Sequence, residues 1–447
     1  MKQRGRKFIF LLLTVMFVSM TGFQPALVQA EDNINLQAES AILVEANTGK
    51  ILFEKNADES LPPASMSKMM TEYLVMEAIE EGQFTWETKT EASEYAHYLG
   101  GLDDTSRVWL ALGEQRTVEE LFTAMAVYSA NDATVALAEL VAGSEQAFVE
   151  MMNEKAAELG MTNSHFVNST GLPNSMLGSY IPAGSPEDEN AMSARDTALL
   201  ARALVNDFPK VLEFTSIPQT EPGYFDVNLI NFNWMLAGHP EGQAQAHTYD
   251  GVDGLKTGFT DLAGYCFAGT AQRDNVRLIS VVMRTDSMGA RFEETAKLLD
   301  FGFNEFTYEE LAAEGEVPEE LQTLPVAQGK EKEVPLALGG SLSAFVHKDE
   351  GDKYTLEVVP DEQLLNEDGQ LSAPLSKGDV VGEVRLTYAG DRDYGYLDQE
   401  SAAETVPLVV TEDVEKIGWL RQFMRSVGNL FSGLWTSVLD GVKGWFS

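Results

Sequence analysis

The sequence has almost no cysteine, little histidine and a marked shortage of basic residues. Cys266 is the single cysteine in 447 residues, so no disulfide framework forms within the chain. The five histidines lie far apart and none belongs to a zinc motif such as HExxH, which argues against a zinc hydrolase; we expect neither a metal nor another cofactor. Lys and Arg total 31 against 70 Asp and Glu, and a formal net charge of −39 argues strongly against nucleic acid as a partner.

The N-terminus has the pattern of a secretory signal peptide. Basic residues precede an uncharged run from Phe8 to Met20, and the small residues Val28 and Ala30 follow it. The run is shorter than the roughly 20 residues that a membrane-spanning helix needs. We therefore predict a signal peptide over residues 1–30 with cleavage after Ala30 and export of the mature protein; a retained anchor is the alternative.

Residues 31–310 are predicted to form one α+β domain. Apolar runs flank Asn47-Thr48-Gly49 near its start and Arg273-Asp274-Asn275 near its end, and each pair of runs predicts a β-hairpin. The region between them carries mainly helical periodicity, interrupted by a polar stretch over residues 170–190 that we interpret as a long surface loop. A hairpin at each end with helices between predicts an antiparallel sheet packed by a helical cluster.

The remainder of the chain differs in pattern from this first domain. Residues 317–411 contain short alternating runs separated by Gly, Asp and Pro, which predict a small all-β domain without a catalytic constellation. In residues 412–447 apolar side chains recur every three or four positions, which predicts an amphipathic helix. Its Trp419, Trp435 and Trp445 favour a helix lying in the headgroup region of a membrane, with docking on the β domain or a dimer seam as alternatives.

The stretch "ASMSKMM" places a serine and a lysine where they can react together. Ser65 alone could be only a helix cap. Lys68, three residues later, lies beside it on one helical face and could accept its proton. For that role the pKa of Lys68 must fall, through burial and through a neighbouring cation.

Two further motifs give weight to the first. "YSAND" contains Ser129 and Asn131 at a break in the helical region, where a helix cap is the simpler explanation. "LKTGF" contains Lys256, Thr257 and Gly258, where the simpler explanation is a turn before a strand. The three motifs occur in the order and context of the SxxK, SDN and KTG set of serine–lysine acyl-transfer enzymes, and together they are a strong signal.

With all three motifs present, each residue has a chemical role to fill. Ser129 is interpreted as a proton relay, and Asn131 as holding a substrate amide or Lys68. Lys256 and Thr257 present a charge and a hydroxyl suited to a substrate carboxylate. Gly258 leaves space for a substrate backbone against the strand edge.

The motifs "ASMSKMMTEYLVMEAI", "VYSAND" and "VDGLKTGFTDLAGYCF", with the β-rich and helical C-terminal segments, resemble a known family. It is the D-alanyl-D-alanine carboxypeptidases among the low-molecular-mass penicillin-binding proteins, of the penicillin-binding protein 5 type found in Gram-positive bacilli. The resemblance covers essentially the whole chain and implies a β-lactamase/transpeptidase-like catalytic domain. It also implies a peptidoglycan pentapeptide as substrate, covalent binding of β-lactams, and attachment to the outer face of the cytoplasmic membrane through the C-terminal helix.

The resemblance further implies roles for the motif residues. Ser65 would carry the acyl group after release of the terminal D-alanine, with Lys68 as general base. The backbone N–H groups of Ser65 and Phe259 would form the oxyanion hole. Arg284 and Arg291 are open: either could help bind a carboxylate, and an exposed charge is an equally good explanation.

Two other functions fit part of the pattern. A class A-like β-lactamase shares the motifs but needs a glutamate to activate the deacylating water. Glu187 and Glu189 lie in the predicted loop and do not show the spacing of that motif. An inactive cell-wall-binding scaffold has no need of an intact Ser65 and Lys68.

Overall fold

The computed structural model describes residues 34–418, with gaps at residues 222, 224, 226, 391–394 and 399–404. The predicted signal peptide and residues 419–447 of the predicted terminal helix lie outside the described residues. Across the described part of the chain, no helix combines the length and the apolar character needed to cross a bilayer.

A five-stranded antiparallel sheet forms the centre of the first domain, in the order β2-β1-β7-β6-β5. Both predicted hairpins are confirmed: one joins β1 to β2, with Gly49 at φ +72°, and the other joins β6 to β7, with Asp274 at φ +50°. A separate short pair is formed by β3 and β4. The strands are β1 (Ser40–Glu45), β2 (Ile51–Lys55), β3 (Lys89–Glu91), β4 (Gln115–Thr117), β5 (Val252–Thr260), β6 (Gly264–Arg273) and β7 (Val276–Thr285).

Helices cover both faces of this sheet. Most of them begin at a serine or threonine cap, and Thr117 with Glu120 forms a complete capping box. The helices are α1 (Lys68–Glu80), α2 (Glu94–Gly100), α3 (Val118–Tyr128), α4 (Asn131–Ala142), α5 (Glu145–Glu158), α6 (Ala194–Asp207), α7 (Val211–Thr215) and α8 (Met288–Glu305). Short 3-10 turns occur at Ala64–Ser67, Asn174–Met176, Gly178–Tyr180, Ala244–Ala246, Gly351–Lys353 and Glu362–Leu364.

Two hydrophobic clusters lie on opposite faces of the sheet, and β1 contributes to both. Ile42 and Val44 belong to the larger cluster, which contains most of the helices, whereas Ala41 and Leu43 belong to the cluster beneath α8. Successive side chains of a strand point to opposite faces, so a strand covered on both sides is apolar throughout. This explains why "AILV" shows no alternation.

The C-terminal domain is all-β, as predicted. Its larger sheet has the order β12-β14-β15-β10-β9-β13, and β8 pairs with β11. The predicted boundary at residue 310 falls inside β8, which pairs within this second domain. The strands are β8 (Phe306–Ala312), β9 (Thr323–Ala327), β10 (Glu333–Leu338), β11 (Leu342–His347), β12 (Tyr354–Pro360), β13 (Leu371–Ser372), β14 (Val380–Tyr388) and β15 (Thr405–Val410).

The predicted start of the terminal helix at residue 412 is wrong. Residues 412–418 are extended, with bridges from Val414 to Leu375 and from Lys416 to Gly329. Val414 and Ile417 are buried against the β domain. Their apolar spacing matches a helix, but the same residues cover the edge of the β-rich core, and this tertiary packing overrides the local pattern.

Gly302 lies where α8 packs against Leu278 and Leu43 of the sheet, and it provides a test of the packing. A Cβ at this position would lie 2.5 Å from Leu278 Cδ1 and 3.0 Å from Leu43 Cδ2. We expect Gly302→Val to lower the free energy of unfolding by about 1–3 kcal/mol, because the added methyl groups force α8 away from the sheet. Urea unfolding measures this change. Gly242→Val, at a site with open space, is the matched control, and equal destabilisation by both variants would contradict the packing.

Candidate active site

Ser65 lies in the 3-10 turn Ala64–Ser67, directly before α1. The idea that Ser65 caps the helix is therefore wrong, because α1 begins at Lys68 and its cap position is Ser67. The turn leaves Ser65 partly exposed while Lys68 is fully buried. The Lys68 Nζ and Ser65 Oγ atoms are 3.2 Å apart, which is the proximity that the spacing predicted.

The amine of Lys68 has three polar neighbours, and they can accommodate its neutral form. Asn131 Oδ1 lies at 2.7 Å and the Thr170 carbonyl oxygen at 2.6 Å, and both are acceptors only. A neutral amine has two N–H groups, which these two acceptors occupy. Its lone pair is then left for the third neighbour, the Ser65 hydroxyl. This arrangement suits a base that removes a proton from Ser65.

Burial and charge favour the neutral amine as well. Removal from water, and then the charge of Lys256, hold the pKa of Lys68 well below its usual value. The carboxyl groups of Glu72, Asp132 and Glu145 act in the opposite direction. Both effects that the sequence analysis required are therefore present in the structure.

Lys256 and Glu72 are both buried, and the charge of each influences the other without a hydrogen bond between them. Burial lowers the pKa of Lys256 to about 8 and raises the pKa of Glu72 to about 7, and each charge opposes the shift of the other. Glu72 lies one helical turn after Lys68, and neither of its carboxyl oxygens has a hydrogen-bond partner among the described residues. Nothing in the sequence marks Glu72, because a glutamate four residues after Lys68 on a helix belongs to none of the three motifs.

The break that contains Ser129 lies between α3 and α4. Ser129 ends α3 in the left-handed conformation at φ +59°, and Asn131 begins α4. Ser129 Oγ is buried at the cavity without a hydrogen-bond partner among the described residues. Its hydroxyl is thus available to a bound molecule, although it is not bonded to Lys68.

Most of the predicted surface loop over residues 170–190 is exposed or half-buried, as expected, but its buried ends contribute to the site. Asn168 Oδ1 accepts hydrogen bonds from the backbone N–H groups of Thr170 and Gly171, and this fixes the carbonyl that contacts Lys68. Glu145 Oε1 accepts hydrogen bonds from the backbone N–H and the hydroxyl of the neighbouring Ser169. Asn190, at the far end of the loop, binds Ser67 Oγ at 2.9 Å. Such long-range hydrogen bonds leave no periodic signal in the sequence.

Two glycines allow the nucleophile turn to be held on both sides. A Cβ at Gly171, which has φ +78°, would lie 1.9 Å from the Ala64 carbonyl oxygen. A Cβ at Gly258, in the KTG motif, would lie 2.3 Å from the Pro63 carbonyl oxygen. Gly258 is therefore required for the approach of β5 to the turn, a reason that differs from the space for substrate that we expected.

A cavity of about 690 Å³ opens above Ser65. Ser129, Asn131 and Thr257 line it, whereas Lys68 and Lys256 are buried behind its wall. Gly258 and Phe259 also line it, and the Phe259 ring, 48% exposed, stacks on Tyr265 with centroids 4.3 Å apart. The structure thus brings all eight predicted site residues to one place.

The structure gives different surroundings to Arg284 and Arg291, the two arginines whose roles the sequence left open. Arg291 is 2% exposed, lines the cavity, and donates to the Gly258 carbonyl oxygen at 3.3 Å. Arg284 pairs with Glu39 at 3.0 Å. Arg291 is therefore a site residue and not an exposed charge, and burial lowers the pKa of its guanidinium to about 10.

Comparison with known proteins agrees with this geometry. The family model described as D-alanyl-D-alanine carboxypeptidase matches residues 27–287, and the model described as penicillin-binding protein 5, C-terminal domain, matches residues 306–416. The D-alanyl-D-alanine carboxypeptidase DacF of Bacillus subtilis is 33% identical over 88% of this chain and 90% of its own. DacA of Escherichia coli is 32% identical over 85% of this chain and 84% of its own.

Solved structures of penicillin-binding proteins are also similar to this chain. The peptidoglycan synthesis regulatory factor PBP3 of Streptococcus pneumoniae has a TM-score of 0.68 and 35% identity, covering 85% of this chain and all of that one. Penicillin-binding protein D2 of Listeria monocytogenes, in an ampicillin-bound form, has a TM-score of 0.51 and 34% identity, covering 61% of this chain and 99% of that one. The chain therefore belongs to the D-alanyl-D-alanine carboxypeptidase family and is a serine-type peptidase of the penicillin-binding protein class.

Proposed function

We propose that the protein removes the terminal D-alanine from peptidoglycan pentapeptide stems through an acyl-enzyme on Ser65. The observation that carries this proposal is the contact between the buried Lys68 amine and the Ser65 hydroxyl. A serine hydroxyl is a weak nucleophile at neutral pH, and an adjacent base activates it. Family membership supports D-alanyl-D-alanine as the bond that is cleaved.

Lys68 acts as the general base in the acylation step. It takes the hydroxyl proton while Ser65 Oγ bonds to the carbonyl carbon of the penultimate D-alanine. Collapse of the intermediate breaks the C–N bond, and the leaving amine of the terminal D-alanine receives a proton. Ser129 relays that proton, which suits a buried hydroxyl that lines the cavity without a partner among the described residues. In the second half of the reaction, water bonds to the ester carbonyl carbon and passes its proton through Lys68 to Ser65 Oγ. The bond between that oxygen and the acyl carbon breaks, and the shortened peptide leaves.

Thr257 and Arg291 hold the terminal carboxylate of the substrate. Both line the cavity, one with a hydroxyl and the other with a buried guanidinium. Lys256 is buried behind Thr257, and it contributes through its positive charge, which favours an anion in a site of low dielectric. Asn131 keeps Lys68 oriented through the 2.7 Å hydrogen bond.

The backbone N–H groups of Ser65 and Phe259 form the oxyanion hole. Both residues border the cavity, and Gly258 brings β5 close to the turn that holds Ser65. Donors fixed in this way need no rearrangement when negative charge develops on the carbonyl oxygen. A β-lactam ring presents a reactive carbonyl to the same groups, and the Listeria relative has been solved with ampicillin bound. We therefore expect penicillin to acylate Ser65.

We also propose that the mature enzyme is exported and lies on the outer face of the cytoplasmic membrane. The signal pattern in residues 1–30 supports export. The amphipathic pattern from residue 419 onward, with Trp435 and Trp445, supports attachment in the headgroup region. At this location the enzyme trims stem peptides and so limits cross-linking and affects cell shape.

The first test measures the chemistry at Ser65. Signal-free protein is incubated with diacetyl-Lys-D-Ala-D-Ala and, separately, with a penicillin. We expect free D-alanine and, by mass spectrometry, a lasting penicilloyl adduct on the peptide that contains Ser65. Lys68→Met, which keeps the volume and removes the base, should slow acylation by about 10²–10⁴-fold. Rapid penicillin hydrolysis without an adduct would support a β-lactamase, and a folded protein with neither product would support a scaffold.

The second test uses pH. Acylation needs neutral Lys68, so the rate should rise as pH increases through the lowered pKa of Lys68. Charged Lys256 favours the substrate carboxylate, so the rate should fall above about pH 8. Glu72→Gln removes a negative charge that raises both lysine pKa values, so both limbs of the profile should move to lower pH. Exposed Glu80→Gln, on the same helix, is the control, and a profile that Glu72→Gln leaves in place would refute the electrostatic role.

The third test concerns the membrane. Chains ending at Gly418 and at Ser447 are sedimented with vesicles that contain anionic phospholipid. Since the chain ending at Gly418 keeps Val414 and Ile417, which pack on the β domain, we expect the short chain to stay active and unbound and the long chain to sediment. Equal sedimentation of both chains would show that the terminal segment is not the anchor.

A further inference from the structure

Glu189 lies in the wall of the cavity above Ser65, and the mechanism above does not use it. Its Oε2 atom is buried and has no hydrogen-bond partner among the described residues. Burial raises the pKa of the Glu189 carboxyl, and the side chain of Thr260 opposes this rise. A partly buried carboxylate without a full set of partners gains free energy from a cation that reaches it.

Thr260 of β5 lies beside Glu189, and this shows which part of a bound peptide would reach Glu189. β5 ends the sheet, so an extended peptide can lie along it. In the proposed function Thr257 holds the terminal carboxylate and the backbone of Phe259 holds the scissile carbonyl. Strand residues advance by about 3.3 Å each, so the preceding part of the peptide continues towards Thr260. The residue before D-Ala-D-Ala therefore arrives beside Glu189.

The charges that line the cavity match a substrate with both an anionic end and a cationic group. Arg291 supplies the cation on the lining, near the backbone of Gly258. Asp261 follows Thr260 directly and lines the cavity together with Glu189 and Asp104. The carboxylate end thus has a cation, while the acyl-side end beside Thr260 has the carboxyl groups of Glu189 and Asp261.

We propose that Glu189 binds the side-chain ammonium of a diamino acid that precedes D-Ala-D-Ala in the stem peptide. This inference rests on the proposed function and names the substrate class that the site selects. A free amine carries the charge that Glu189 recognises, whereas an amine that has been acylated in a cross-link does not. The enzyme therefore prefers stems that have not yet been cross-linked through that amine.

The test compares two substrates on the same enzyme preparation. Nα-acetyl-Lys-D-Ala-D-Ala has a free side-chain amine, and the Nα,Nε-diacetyl peptide does not. We expect wild-type kcat/KM to be about 10-fold higher for the free amine, which corresponds to about 1.4 kcal/mol. The ratio should fall to about 1 in Glu189→Gln and below 1 in Glu189→Lys. Because each ratio is taken within one preparation, a loss of folded protein does not change it.

Glu187→Gln is the matched control, since Glu187 is exposed in the same loop and does not line the cavity. It should keep the wild-type ratio. A wild-type ratio near 1, with D-alanine released from both peptides, would overturn the inference and leave the proposed function in place. A preference that persists in Glu189→Gln would also overturn it. Release of D-alanine from neither peptide would refute the proposed function and the inference together.

Discussion

The removal of the Lys68 amine from water is the constraint on which the rest of the site depends. A lysine exposed to solvent is protonated at neutral pH and cannot accept a proton from serine. Here the amine is fully buried, with Asn131 and Thr170 as acceptors for its two N–H groups and Ser65 beside its lone pair. Each surrounding element is positioned to keep that arrangement dry and fixed.

Three separate parts of the chain meet to bury this amine. The loop that contains Thr170 is held by side chains, the break before α4 supplies Asn131, and β5 closes the other side. Gly171 and Gly258 let two backbones approach the turn of Ser65 more closely than any side chain would permit. Such a site opposes stability, because buried charges lose hydration and are compensated only in part. The two apolar clusters around the sheet stabilise the fold and offset this cost.

The charge of the site contrasts with that of the whole protein. A net charge of −39 repels anionic peptides at long range, and salt screens that repulsion. At short range the buried Lys256 and Arg291 present positive charge to the cavity, where screening is weak. Attraction of the substrate carboxylate is thus confined to the site, and the acidic surface contributes solubility.

The sequence predicted those parts of the site that are local in the chain. Ser65 and Lys68 are three residues apart, and the hairpins and the break at Ser129 carry turn signals, so pattern alone places them. Thr170, Glu189 and the burial of Arg291 depend on contacts between distant segments, which no local pattern records. The extended segment at Val414 was missed for a related reason, because its apolar spacing suits a helix as well as a β-domain edge. The family resemblance predicted that the three motifs form one active site, and the long-range contacts explain how they meet in the fold.

The most direct test of this account is the pKa of Lys68 itself. Enzyme labelled with ¹³C at the lysine Cε is titrated by NMR, and the Lys68 resonance is assigned by its loss in Lys68→Met. The account predicts that Lys68 titrates well below the usual lysine pKa of about 10.4, so that the amine is neutral where the enzyme acylates. A Lys68 resonance that stays protonated up to its usual pKa would contradict the central claim, because Ser65 would then have no base.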